Sequence, residues 1–434
     1  MTGPAKLLRG RLLTFDRLPK GDDDTGFARY IADGGLLVED GRIAAMSDFG
    51  DVRTRAPDAD VIDHRPHLLV PGFIDPHVHF PQTQVIASPA PDLLTWLKRY
   101  TFPAEAAYAD EAHARAMAPR FLDLLIAHGT TTAAVYGSVH PGSVRALLDE
   151  AAVRHMSLIA GKPMMDTNVP AAVRDTAEQG ATETAELIAL AADQDRFARQ
   201  QVAITVRFAV TSSEAQLAAA GELAAAHGEV PIQTHLSEND AEIAEVMRRF
   251  PNARDYTDVY ARHGLLRDTT LLAHCIHLSD REAGVLAETG AVAVACPTSN
   301  LFLGSGLFDA RRLAAAGVRQ AVATDIGGGT NYALLRTMDE MFKVSQLKGH
   351  VTPPLRAFCQ ATRGNAEALG LAGEVGSLSP GAWADVIALD AHATAAMALR
   401  MAAADTLDEE LMVLQTLGDD RAVAAVYVAG EPVR

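Results

Sequence analysis

Two histidines separated by one residue lie near an apolar run early in the chain. Residues 70–74 read Val-Pro-Gly-Phe-Ile, and His77 and His79 follow shortly after them. Because side chains alternate between the two faces of a β-strand, both imidazoles are expected to point the same way. Imidazole nitrogen is a ligand that suits zinc or iron. The pair therefore predicts half of a metal site at the end of a buried strand.

Three more residues of metal-binding type each end a short apolar run farther along the chain. They are His235, His274 and Asp325. A strand–helix unit takes about 30 residues or more, so their intervals fit positions after strands 5, 6 and 8 of an eight-unit barrel, with the histidine pair after strand 1. Catalytic residues of such barrels lie at the carboxyl ends of the strands. We therefore expect all five side chains to meet at one mouth of the barrel.

Glu238 lies three residues beyond His235, on the loop that would cover such a metal. A metal makes a bound water acidic enough to supply hydroxide near neutral pH, and a carboxyl beside it can carry protons to a ring nitrogen and a leaving amine. Asp325 would be both a ligand and an acceptor for the water proton, and His274 either a ligand or a hydrogen-bond donor. The alternatives are that Glu238 merely opens the next helix and that Asp325 caps a turn.

A second group of residues has types suited to holding a flat heterocycle. Arg207 ends a strand and can donate two parallel hydrogen bonds to a carbonyl and a neighbouring ring nitrogen. Phe208 beside it offers a stacking face. Gln82 follows His79 by three residues and carries both donors and acceptors, so it could contact an amide-like ring edge. Together these residues predict substrate contacts around the metal.

Strands and helices alternate through the middle of the chain. Apolar spacing predicts a helix over 110–127, bent at Pro119, then a β-branched strand over 130–136. Helices are also predicted over 184–200 and after Asn239. Both ends of the chain contain strand patterns, including an Asp-Gly hairpin at 40–41. The fold class is therefore α/β, a (β/α)8 TIM-like barrel with a small β-sandwich domain formed by both termini.

We expect residues 1–68 to form the N-terminal part of the β domain, 69–375 the barrel and 376–434 the C-terminal part of the β domain. The composition, 48% hydrophobic and 21% charged in 434 residues, is that of a globular protein. The 38 basic and 55 acidic residues give a net charge of −17, which argues against nucleic-acid binding.

Two features bear on where the chain works. No apolar run reaches the ~20 residues that cross a bilayer, and the first residues lack the features of a signal peptide, so no membrane association is expected. The three cysteines, Cys275, Cys296 and Cys359, have no metal-binding or paired spacing. They are interpreted as reduced, small core residues of a cytoplasmic protein.

The chain resembles the amidohydrolase superfamily and, within it, the guanine deaminases of the bacterial type. The wider resemblance lies in residues 71–79 (PGFIDPHVH) with His235, His274 and Asp325. The closer one lies in longer runs that cover essentially the whole chain. These runs are residues 79–84 (HFPQTQ), 93–105 (LLTWLKRYTFPAE), 235–239 (HLSEN), 296–306 (CPTSNLFLGSG) and 324–330 (TDIGGGT).

The resemblance implies zinc-dependent hydrolytic deamination of guanine to xanthine and ammonia, by a homodimer with one zinc per chain. Glu238 becomes the proton shuttle and His274 the partner of the attacking water. The implied zinc ligands are His77, His79, His235 and Asp325. The implied purine contacts are Gln82, Arg207 and Phe208, with the metal-site residues His235, Asp325 and Glu238 also facing the substrate and Trp96 lining the pocket.

Many two-metal relatives carry a carboxylated lysine on strand 4. Here Arg207 ends that strand, and Lys162 comes one strand too early, which favours a single metal. Iron suits the same ligands as zinc. Two alternatives remain open. The chain could deaminate another heterocycle, such as 8-oxoguanine, cytosine or a triazine, or it could be a metal-free barrel relative that serves as an assembly protein.

Overall fold

Four strands open the part of the chain that the structure describes. The structure is a computed structural model that describes residues 5–21 and 23–434. The first strands are β1 (Lys6–Phe15), β2 (Ala28–Glu39), β3 (Arg42–Asp48) and β4 (Asp60–Pro71). Asp40 and Gly41 join β2 to β3 with φ angles of 49° and 77°. Positive φ at both central residues is what a two-residue hairpin turn requires, so the predicted Asp-Gly hairpin is confirmed.

The barrel strands follow in two parallel ladders, one of four strands and one of six. They are β5 (Phe73–His79), β6 (Thr130–Tyr136), β7 (Ser157–Gly161), β8 (Pro163–Met164), β9 (Gln200–Val202), β10 (Ile204–Val206), β11 (Ile232–Leu236), β12 (Thr270–His274), β13 (Val292–Ala295) and β14 (Arg319–Val322). Lys162 separates β7 from β8, and Ala203 separates β9 from β10, so each pair makes one interrupted barrel strand. The predicted eight-stranded barrel is confirmed, and β5, β11, β12 and β14 are its strands 1, 5, 6 and 8.

Side chains bridge the first and last barrel strands, a contact that we call the seam. The amide of Asn365 donates to the carbonyl oxygens of Ile74 on β5 (2.7 Å) and Val322 on β14 (2.8 Å) and accepts from the Val322 N–H (3.1 Å). The Asp325 N–H donates to the His77 carbonyl at 3.0 Å. Because Asn365 is fully buried, these bonds are shielded from water and hold the seam closed.

Helices connect and cover the strands. They are α1 (Phe49–Arg55), α2 (Leu93–Trp96), α3 (Phe102–Ala106), α4 (Glu111–Ala127), α5 (Pro141–Val153), α6 (Ala177–Ala191), α7 (Glu214–Ala226), α8 (Asp240–Arg249), α9 (Tyr256–Arg262), α10 (Asp280–Thr289), α11 (Pro297–Phe302), α12 (Ala310–Ala315), α13 (Leu334–Leu347), α14 (Pro354–Cys359), α15 (Asn365–Ala368), α16 (Ala395–Met401) and α17 (Leu407–Leu417). Leu97–Thr101 and Gln360–Gly364 are π-helical turns. In the described residues, no helix combines the length and apolar character needed to span a membrane.

Of two helices predicted from the sequence, one is confirmed and the other begins earlier than predicted. The helix over 110–127 is confirmed as α4, which continues through Pro119 with Asp110 as its N-cap. The helix over 184–200 is placed too late, because α6 spans Ala177–Ala191. The Thr176 side chain accepts a hydrogen bond from the Gln179 N–H at 3.1 Å and so caps α6, which begins seven residues before the predicted start at 184.

Three C-terminal strands return to the opening ones: β15 (Val386–Leu389), β16 (Val423–Val428) and β17 (Glu431–Pro432). The seven strands form one sheet in the order β17-β16-β15-β4-β1-β2-β3. Ile43 of β3 and Tyr427 of β16 nevertheless belong to one apolar core, although they lie near opposite ends of that order. The sheet therefore folds over its own core as a sandwich does, and the β domain built by both termini is confirmed.

Candidate active site

The predicted metal-binding side chains meet at the carboxyl ends of the barrel strands. His77 and His79 end β5, His235 lies in β11 and Asp325 follows β14. The Nε2 atoms of His77 and His79 are 3.2 Å apart. Asp325 Oδ1 lies 3.2 Å from His77 Nε2 and 3.3 Å from His79 Nε2. The ligand atoms of all four residues lie within 4.8 Å of one another, so the cluster could hold a metal ion.

The three distances among His77, His79 and Asp325 match the spacing that a metal would impose. Ligands bound tetrahedrally to zinc at ~2.05 Å lie about 3.3 Å from one another. Burial, with further lowering by His77, brings the pKa of His79 to about 3, although a hydrogen bond to Asp325 opposes the shift. Burial and the neighbouring imidazoles also lower the pKa of His235 well below its usual value. Neutral imidazoles present lone pairs, so the donor set fits a divalent cation.

Hydrogen bonds fix the direction in which these groups point. His235 Nδ1 lies 2.7 Å from the carbonyl oxygen of Arg207 and donates to it, which turns Nε2 towards the cluster. Burial raises the pKa of Asp325, but hydrogen bonds from His77 and His79 outweigh burial and hold that pKa well below its usual range. The Asp325 carboxylate is therefore ionised, as a metal ligand must be.

Glu238 and His274 lie beside the cluster. Their Oε2 and Nε2 atoms are 3.4 Å apart, and His274 Nε2 is 3.8 Å from Asp325 Oδ2. The Ser305 hydroxyl donates to Glu238 Oε1 at 3.0 Å. Burial, together with the nearby Asp325 carboxylate, raises the pKa of Glu238 to about 8. A carboxyl that keeps its proton near neutral pH can act as a general acid.

The loop that carries Glu238 is held by the next helix. The backbone N–H groups of Glu238 and Asn239 donate to the buried Glu242 carboxylate at 2.8 Å and 3.1 Å. Asn239, not Glu238, is the N-cap of α8, which forms a capping box with Glu242. The alternative in which Glu238 merely opens a helix is thus not supported by the structure. Asp325 does not cap the turn at 327–329 either, because in the described residues its carboxylate contacts His77, His79 and His274 and accepts no backbone N–H of that turn.

The residues expected to contact substrate line one small cavity next to the cluster. Its empty volume is about 370 Å³, and Gln82, Arg207, Phe208 and Trp96 all line it together with Glu238. Leu93, Leu97 and Leu303 supply further apolar surface. A small, mostly buried space with a few polar groups suits a flat heterocyclic ligand. Leu93, Trp96 and Leu97 belong to the helical segment 93–106, which covers the cavity.

Lys162 lies outside this cavity. It is fully buried at the break between β7 and β8, and its Nζ atom is 2.6 Å from Asp175 Oδ2 and 3.2 Å from Glu183 Oε2. Both carboxylates come from the chain that follows β8, and neither is among the described residues that line the cavity. Lys162 thus lies within strand 3, one strand before Arg207 as the sequence indicates, and its ammonium is engaged in a separate ion-pair cluster.

Sequence reasoning missed four residues at or behind the site. Glu105 bonds Arg207 and Gln82, Asn300 bonds His274, and Ser305 bonds Glu238. Cys296 belongs to a second group of possible ligands that shares His77, His274 and Asp325 with the first. Asn300 and Ser305 lie in the segment 296–306. This segment is one of the runs that carry the family resemblance, but the resemblance assigns no role to either residue. Glu105 could have been found as the one carboxylate in an otherwise apolar stretch at 102–106.

Comparisons with known proteins agree with this geometry. Residues 68–433 match the Amidohydrolase family. The guanine deaminase of Escherichia coli K12 is 40% identical over 99% of this chain and 97% of its own length. A solved structure of E. coli guanine deaminase superposes with a TM-score of 0.94 over 99% of each chain at 39% identity. A guanine deaminase from C. acetobutylicum, solved with guanine bound in its active site, gives a TM-score of 0.89 at 29% identity, covering 99% of this chain and 100% of that one. The chain therefore belongs to the amidohydrolase family.

Proposed function

We propose that this protein hydrolyses guanine to xanthine and ammonia. The observation that carries the proposal is the position of Glu238, a buried acid 3.4 Å from His274 that borders both the metal-binding cluster and the cavity for a flat ring. A guanine deaminase 40% identical and a protein named probable guanine deaminase 39% identical, each over nearly the whole chain, support the same substrate. Neither the ligand set nor the acid is missing, which argues against a metal-free assembly protein.

Zinc is the metal we propose, one ion per chain, with iron as the other ion that this ligand set accepts. His77, His79, His235 and Asp325 would hold it. The ion supplies an activated water at neutral pH, which is the nucleophile of a hydrolytic deamination. The Arg207 carbonyl keeps His235 in the tautomer that ligation requires.

Glu238 moves the protons. Ionised Glu238 first takes one proton from the water, and it gives that proton to ring nitrogen N3 while the water-derived oxygen bonds to C2. It then takes the remaining proton from that oxygen and delivers it to the exocyclic amine, so that the C2–N bond breaks and ammonia leaves. Ser305 holds one carboxyl oxygen while the other faces His274, which keeps Glu238 within reach of the reacting atoms. His274 and Asp325 orient the water.

Arg207, Gln82 and Phe208 hold the purine. The guanidinium and the amide donate to acceptor atoms on the ring edge, and they help disperse the negative charge that develops on the ring during attack. The Phe208 ring offers an apolar face to the base. Trp96 and Leu97 close the cavity from the helical segment above it.

The decisive experiment is to incubate the purified protein with guanine and follow xanthine by ultraviolet absorbance. We expect guanine to be the preferred substrate over 8-oxoguanine, cytosine and a triazine at equal concentration. A protein that does not turn over guanine would contradict the proposal. Faster turnover of another of these heterocycles would identify that compound as the substrate instead. Metal analysis of gently purified protein that finds neither zinc nor iron would favour the assembly role instead.

Three further expectations remain proposals. We place the protein in the cytoplasm, where its three free, buried thiols would stay reduced. We expect a homodimer, which sedimentation analysis would test. We also propose that the β domain comprises 1–68 and 376–434 and the barrel 69–375, a division that limited proteolysis would test.

A further inference from the structure

One buried carboxylate contacts both polar residues of the purine site at once. Glu105 lies in α3 and is fully buried. Its two oxygens accept hydrogen bonds from Arg207 Nη1 at 2.6 Å and 2.8 Å. Its Oε1 atom also accepts from Gln82 Nε2 at 3.2 Å. Glu105 is outside the set of described residues that line the cavity, so it reaches the substrate only through these two partners.

The contacts of Gln82 determine which way its amide faces. Its Nε2 group donates to Glu105, while its Oε1 atom accepts from the Gly327 N–H at 3.2 Å. A carboxylate can only accept and a backbone N–H can only donate, so the two partners impose the same orientation. One lone pair of the Gln82 carbonyl oxygen is thereby engaged by Gly327, and Nε2 keeps a second hydrogen that it can donate to a ligand.

Arg207 is held in the same manner. Both Glu105 oxygens take hydrogen bonds from the single atom Nη1, and the Phe102 ring lies 5.7 Å from the guanidinium carbon. The side chain is only 3% exposed, and the remaining guanidinium nitrogens carry N–H groups. Since a buried cation without a partner is costly, Glu105 also provides the negative charge that allows Arg207 to stay in this place.

We infer that Glu105 is a positioning residue that makes the purine-contacting edge of the site a row of donors, contributed by Gln82 and Arg207. This inference rests on the proposed guanine deamination. A row of donors fits a ring that presents a carbonyl oxygen and an unprotonated ring nitrogen side by side, as guanine does at O6 and N7. It disfavours 2,6-diaminopurine, which has an amine in place of O6. The N–H groups of that amine would lie against the N–H groups of Gln82 and Arg207.

Glu105→Gln tests the inference, because glutamine keeps the shape but can also donate, which removes one of the two constraints on the Gln82 amide and the negative charge beside Arg207. We expect kcat/KM for guanine to fall by roughly 10–100-fold, as the loss of a hydrogen bond to a charged group predicts. Turnover of 2,6-diaminopurine should fall much less, so the selectivity ratio shrinks by about 10-fold or more. Equal losses for both substrates, or unchanged guanine kinetics, would overturn the inference.

A binding measurement separates this inference from the proposed reaction. Hypoxanthine keeps O6 and N7 but lacks the amine that leaves, so its affinity can be measured by calorimetry without turnover. We expect weaker binding to Glu105→Gln than to the wild type, with Glu105→Asp, which keeps the charge, between the two. Unchanged affinity would contradict the inference even if guanine is turned over, whereas a wild type inactive on guanine would contradict the proposed reaction.

Asp385→Asn is the matched control. Asp385 forms a buried ion pair with Arg199 at the amino end of β9, where both side chains are at most 4% exposed. Its substitution also leaves a buried arginine without its carboxylate, but far from the cavity mouth. We expect it to lower the thermal midpoint without changing the ratio of guanine to 2,6-diaminopurine turnover. If Asp385→Asn also changed this ratio, the effect of Glu105→Gln would be explained by a general loss of barrel stability.

Discussion

The Nδ1 atom of His274 lies 2.8 Å from the Oδ1 atom of Asn300. An amide oxygen can only accept, so this contact places a hydrogen on Nδ1 of the imidazole. Nε2, the other ring nitrogen, then faces Glu238 at 3.4 Å and Asp325 at 3.8 Å. The side chain of Asn300 therefore selects the tautomer with which His274 meets the reacting water.

Asn300→Ala should lower kcat for guanine by roughly 10–100-fold, the usual cost of removing a partner that orients a histidine at a metal site. KM should change little, because Asn300 is not among the described residues that line the cavity. Steady-state kinetics checks both parameters. Metal content should stay at the wild-type level. A variant with reduced metal content would show instead that Asn300 supports ligation.

Glu238→Gln should reduce kcat by about 10²–10⁴-fold, since the amide keeps the shape but cannot transfer protons. The metal content should be unchanged, because Glu238 lies outside the cluster of four ligands. The rate of xanthine formation and elemental analysis of the same sample make the measurement. Near-normal turnover would remove Glu238 from the role of proton shuttle.

Removing the metal should abolish activity reversibly. Dialysis against a chelator is expected to give an inactive protein, and one equivalent of zinc per chain should restore turnover. The thermal midpoint should also fall on metal removal, because an ion that binds only the folded state stabilises that state. Recovery that required two equivalents would contradict the single-metal assignment, and full activity after chelation would contradict metal dependence altogether.

Lys162→Met should reduce stability without impairing the chemistry. The variant leaves Asp175 and Glu183 without their buried cation, and such a loss costs about 3–5 kcal/mol of unfolding free energy. The catalytic rate per folded molecule should stay within about 3-fold of the wild type, because the ion-pair cluster lies outside the cavity. Denaturant unfolding and guanine kinetics test the two parts. Loss of metal from this variant would place Lys162 in the site after all.

The barrel and the metal cluster were predictable because each ligand ends a short apolar run, and strand ends in a barrel converge by geometry. His77, His235 and Asp325 are examples, and their strands were assigned correctly from chain intervals alone. The start of α6 was not predictable from apolar spacing, because the Thr176 cap extends the helix through polar residues. The hydrogen bond between Glu105 and Gln82 was not predictable for a different reason. A glutamate on a helix is usually exposed, whereas this one contacts a residue 23 positions earlier in the chain.

The seam between β5 and β14 has a consequence for the apoprotein. His77 and His79 belong to one side of it, and Asp325 belongs to the other. An ion shared by these three side chains would tie the first strand of the barrel to the last, in addition to the Asn365 bonds. Amide hydrogens of β5 and β14 should therefore exchange with deuterium faster once the ion is stripped, whereas those of β6 and β7 should keep their protection.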